Sequence, residues 1–161
     1  MDFLAAGHAV THIYVFNIVQ GLICLYALTM GGWPERCGAI LLLAATGATL
    51  MLAFEPSTHF RTTDMREVAI DIVLMGGLIT IAMLANRFWP LWLAALHLLG
   101  IGIHGVRGLD ANLMPWMYGM AEGKIAYPML GILGIGVLRH QIRVARHGRD
   151  PDWAFSWRDF R

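Results

Sequence analysis

The chain has 161 residues, 57% of them hydrophobic and only 14% charged, with a formal net charge of +1. A soluble domain of this length carries about 25% charged residues and buries roughly 70% of the surface its unfolded chain exposes, so water has no room for this much apolar side chain. The composition therefore excludes an ordinary soluble globule, a disordered chain and a disulfide-stapled secreted module, and the near-neutral charge excludes a basic nucleic-acid-binding face. A mean hydropathy of +0.57 points instead to an all-α, polytopic membrane protein of about five transmembrane helices in one bundle.

The predicted elements follow from the punctuation. The start, Met1-Asp2-Phe3-Leu4, lacks a basic n-region and a small-residue cleavage site, so the first apolar run reads as a retained span. That run goes from about Ala9 to Met30 and stops at Gly31-Gly32. Trp33-Pro34-Glu35-Arg36 opens the second, about Cys37 to Phe54; proline in the first turn and glycine just past a helix end is the expected asymmetry. Asp64 caps the third run, about Glu67 to Ala85. Asn86-Arg87-Phe88-Trp89-Pro90 is a short connection whose aromatics suit the headgroup level. The fourth run is about Leu91 to Val106.

The fifth apolar run, Ile125 to Leu138, is too short by itself for a hydrocarbon core of about 30 Å. It must borrow Pro115 to Lys124, and Pro128 should kink it. Residues 1–138 then form the bundle and 139–161 a basic, aromatic tail. Arg139, Arg143 and Arg146 share a helical face there and suit anionic lipid. Lysine and arginine bias sets the direction. With the C-terminus inside, Arg36, Arg87, Arg139, Arg143, Arg146, Arg149, Arg158 and Arg161 lie inside against Arg61, Arg66, Arg107 and Lys124 outside. The N-terminus is then periplasmic and the C-terminus cytoplasmic.

Ionisable groups inside spans are costly and mark the place to look for function. His8 and His12 are one turn apart, Glu67 and Asp71 likewise, and His97 and His104 share a face about 10 Å apart along the helix axis. His12, Asp71 and His104 come out at similar depth near the outer face, while the inner half reads as nearly all apolar. A polar pocket opening outward is the expectation. Three uses compete for it. The groups fix helix packing by hydrogen bonds; or His8, His12, Asp71 and His104 hold a divalent metal; or His12, His97 and His104 hold a b-type haem or another macrocycle, with Gly100 letting the ring lie close.

No phosphate-binding loop, G-x-S-x-G, H-E-x-x-H or serine–histidine–aspartate grouping is present, which weakens any hydrolase or ATPase reading. Cys24 and Cys37 make no C-x-x-C pair and read as small apolar fillers. Gly119, Gly123, Gly131, Gly134 and Gly136 give the fifth span a face that lets another helix approach closely. Trp153 and Trp157, in Trp153-Ala154-Phe155-Ser156-Trp157, form an interfacial anchor or partner-docking strip.

Several phrases carry a resemblance: Ile13-Tyr14 through Asn17-Ile18-Val19, Cys24-Leu25-Tyr26-Ala27-Leu28, Gly31-Gly32-Trp33-Pro34-Glu35-Arg36, and Arg87-Phe88-Trp89-Pro90-Leu91-Trp92. Over roughly the first two-thirds of the chain they resemble small uncharacterised inner-membrane proteins of sphingomonads and related alphaproteobacteria. The resemblance implies a bacterial inner membrane and carries over no functional residue. Size, missing catalytic motifs, small-residue faces and the aromatic tail lead to a non-enzymatic accessory or assembly subunit of a larger inner-membrane complex, touching lipid and other integral subunits. A haem- or metal-handling redox protein is the alternative, and a small transporter acting as an oligomer the third.

Overall fold

The structure, a computed structural model, describes the backbone of residues 2–53, 65–109, 115–148, 150 and 153, and the side chains of 13–51, 66–102, 125–148, 150 and 153. The described residues form five helices: α1 (Asp2–Met30), α2 (Trp33–Ala53), α3 (Met65–Leu84), α4 (Trp89–Leu109) and α5 (Pro115–His147). The expected helical bundle is what forms.

The boundaries have local causes. At Gly31 the amide bonds back to the Ala27 carbonyl at 2.9 Å. A Cβ there would collide with that carbonyl and lie 2.7 Å from Cβ of Glu35, so only glycine makes this turn. Arg36 caps the same helix end by donating Nε to the Gly31 carbonyl at 3.0 Å. Pro34, Pro90 and Pro115 all fall in the first turn of a helix, where a missing N–H costs nothing. Gly148, at φ 72°, ends α5 in the left-handed conformation, its amide bonded to the Val144 carbonyl at 2.8 Å. Pro128 lies inside α5, which runs on past residue 138 to His147. The final helix and the first part of the tail are thus one element.

The helices form a closed ring. Each packs on its neighbour in sequence, α5 closes against α1, and α2 touches α5 across the middle. Every helix sends residues three or four apart into the core: Cys24 and Ala27, Ala39 and Leu42, Leu74 and Leu78, Trp89 and Leu93, Leu133 and Val137. That spacing keeps one face of each helix inward. The outer faces carry exposed Ile18, Leu22, Val73, Met83, Leu98 and Ile135, a surface suited to lipid rather than water. Ile13–Met30, Arg66–Leu84 and Ile125–His147 are long and apolar enough to cross a membrane; the apolar stretch Trp89–Gly102 of α4 is shorter.

This topology gathers one set of ends together. The end of α1, the starts of α2 and α4, the end of α3 and the end of α5 share one side of the bundle. On this side Trp153 makes an antiparallel backbone bridge with Ala85.

Candidate functional site

The polar residues of that shared end form one connected cluster. Its base is Trp89, the first residue of α4. The indole is wedged between two glycines: a Cβ on Gly38 of α2 would lie 2.9 Å from Cη2, and one on Gly136 of α5 would lie 2.9 Å from Cδ1. Held there, Trp89 donates Nε1–H to Oε1 of Glu35 at 2.9 Å. Glu35 is fully buried, and its Oε2 has no hydrogen-bond partner among the described residues.

A buried carboxylate needs a countercharge, and Arg87 supplies it. Its Nε lies 3.4 Å from Glu35 Oε1. The other edge of the guanidinium meets Asp150 in a fork, Nη1 to Oδ1 at 2.9 Å and Nη2 to Oδ2 at 2.7 Å. Two-point pairing of this kind is the strong geometry for arginine and a carboxylate. Arg143 of α5 adds Nε to the same carboxylate, 2.9 Å from Oδ1 and 3.0 Å from Oδ2. His140, one turn earlier, places Nδ1 2.8 Å from Oδ2. A carboxylate only accepts, so Nδ1 carries the proton of this bond. Burial pushes the Asp150 carboxyl up, but the hydrogen bonds from Arg143 and His140 and the charges of Arg87 and Arg143 outweigh it and hold the group below its ordinary value.

Sequence reasoning expected the polar pocket at the opposite end. His8 and His12 lie in α1 and His104 in α4, but their side chains are outside the described residues. Of the expected set, the structure brings together His97 and Asp71. His97 is buried and its Nε2 lies 2.9 Å from the Asp71 main-chain carbonyl and 3.9 Å from Asp71 Oδ1. The carbonyl fixes Nε2 as the protonated nitrogen, so this contact ties α4 to α3. Among the described residues no three histidine, cysteine, aspartate or glutamate side chains converge as metal ligands would. Elsewhere Gln20 of α1 donates to Thr46 Oγ1 of α2 at 2.7 Å and to the Leu42 carbonyl at 3.2 Å. Tyr26 of α1 donates to Gln141 Oε1 of α5 at 3.1 Å. Cys24 is a buried filler, as expected, and both cysteines are free.

The expected partner faces divide. A Cβ at Gly131 would meet nothing within 4 Å, whereas Gly136 faces Trp89 inside the bundle. Gly119 and Gly123 lie in α5, on the same i, i+4 row as Gly131. Trp153 pairs its backbone with Ala85 of its own chain, and Trp157 lies outside the described residues. Trp89, read from sequence as an interfacial aromatic, is buried; Phe88 and Trp92 beside it are exposed.

Glu35, Trp89, His140 and Asp150 were missed as site residues; Arg87 had entered only as a charge that sets orientation, and Arg143 also as part of a basic face suited to anionic lipid. The signal was present: Trp33-Pro34-Glu35-Arg36 and Arg87-Phe88-Trp89-Pro90 put an acid and a base at two helix starts on one side of the bundle. Comparison with protein-family models, curated proteins and solved structures found no match, so the functional argument rests on this geometry.

Proposed function

We propose that the chain crosses a bacterial inner membrane five times, N-terminus periplasmic and C-terminus cytoplasmic, and serves as a non-enzymatic accessory or assembly subunit of a larger membrane complex. The orientation is supported by Arg36, Arg87, Arg139, Arg143 and Arg146, which belong to the end where α5 finishes, as the positive-inside rule requires. The observation that carries the subunit reading is the outward row of α5. Gly131 is exposed with open space where a side chain would be, one turn from exposed Tyr127 and Ile135. Gln20, Tyr26 and His97, by contrast, are engaged between the chain's own helices. A small residue on an outer face lets a further helix approach closely.

Mild-detergent extraction tests this. The wild-type chain should migrate with other integral membrane proteins, and Gly131→Leu should release it while leaving the helical content unchanged. A wild-type chain that migrates alone, indistinguishable from the variant, would contradict the reading. A haem- or metal-handling role is the second reading, favoured by the His97–Asp71 pair across α3 and α4. A Soret band or stoichiometric metal in the purified protein, lost in His97→Ala, would decide for it.

A further inference from the structure

We propose that Arg87, His140 and Arg143 form an anion site at the membrane surface, suited to a phosphate-type headgroup and filled here by the chain's own Asp150. Arg87, the inner wall of the site, is positioned without the aspartate. Arg87 is turned by Glu35 on its Nε side and by the Asn86 carbonyl, 3.4 Å from Nη1, and Glu35 is itself fixed by Trp89. The guanidinium fork therefore keeps its aim whether or not Asp150 is there. Removing Asp150 withdraws one negative charge from beside Arg87, Arg143 and His140 and opens the place its two oxygens fill.

The donors take up the whole acceptor capacity of a carboxylate. Arg87 Nη1 and Nη2, Arg143 Nε and His140 Nδ1 all converge on two oxygens; a phosphate presents more acceptors to the same set. The outer wall is open, since the Arg143 side chain is 35% exposed while Arg87 is 3% exposed. Trp33, Phe88 and Trp92, exposed at the same end of the bundle, suit the headgroup level. Asp150 lies two residues beyond the helix-ending Gly148 and three before the bridge at Trp153. It acts as an internal competitor for the site.

The test uses the full chain in phosphatidylcholine nanodiscs, titrated separately with short-chain phosphatidylglycerol and with inorganic phosphate. Asp150→Ala should bind roughly ten- to a hundredfold more tightly than wild type, and adding Arg87→Gln should abolish the gain. A gain with both probes assigns the site to free phosphate, and a gain with the lipid alone assigns it to a headgroup. Equal binding by wild type and Asp150→Ala in both arms, or a gain that survives Arg87→Gln, overturns the proposal. Should Asp150→Ala fail to fold, hydrogen exchange at the Asp150 and Trp153 amides of the wild type, taken relative to the intrinsic rate, replaces it. Phosphatidylglycerol or phosphate at constant ionic strength should speed that exchange, and exchange unchanged by either overturns the proposal.

Discussion

Trp89 is used on every side: its ring fills the gap between Gly38 and Gly136, and its N–H holds Glu35. The glycines beside it are therefore packing positions, and two glycines of α5 should respond oppositely to the same change. Gly136→Ala puts a methyl 2.9 Å from the indole and should destabilise by about 1–3 kcal/mol through overpacking. Gly131→Ala meets open space and should be neutral or stabilise by up to ~1 kcal/mol, the helix propensity gain. Denaturant titration of the two variants in one detergent checks both signs. Asp150 is a second sharp case. Its carboxyl is held below the ordinary range, so the folded state favours the ionised form. The stability it contributes is present at neutral pH, falls as pH drops through the ordinary carboxylate range and is gone below the lowered value. Protection of the Asp150 and Trp153 amides, taken relative to the intrinsic exchange rate at each pH, should be constant near neutrality and fall only in acid; a fall centred near neutral pH would contradict the assignment.

At the scale of elements, single polar ties join neighbouring helices: Gln20 to Thr46 between α1 and α2, His97 to the Asp71 carbonyl between α3 and α4, Tyr26 to Gln141 between α1 and α5. Such ties are worth about 0.6–2 kcal/mol in a membrane setting. Gln20→Leu should lower stability by that amount, with helical content unchanged by circular dichroism. The elements themselves were legible because their causes are local. Pro34, Pro90 and Pro115 mark helix starts, Gly31 marks an end, and long apolar runs lie between. The run of α5 beyond residue 138 was legible from Arg139, Arg143 and Arg146, whose spacing puts them on one face of a helix leaving the bilayer. Loss of apolar character marks the end of lipid contact rather than of a helix.

On the scale of the whole molecule, closure of the ring by α5 against α1 brings the tail to the α3–α4 connection. The candidate cluster exists only because of that closure. Glu35 and Arg87 are 52 residues apart and Arg87 and Asp150 are 63 apart. No spacing rule links such positions; reading them together requires knowing which helix ends meet. His97 and Asp71 were singled out because an ionisable group inside a span is conspicuous by itself. Glu35, Arg87 and Asp150 lie where charges are ordinary, and only their burial separates them from solvated loop residues. The clearest trial of this account is a double-mutant cycle on Arg87→Gln and Asp150→Asn, read by unfolding of the purified chain. A buried, forked ion pair predicts a coupling of about 2–5 kcal/mol. Losses that simply add to within ~0.5 kcal/mol would mean that the tail is not locked to the bundle and would contradict it.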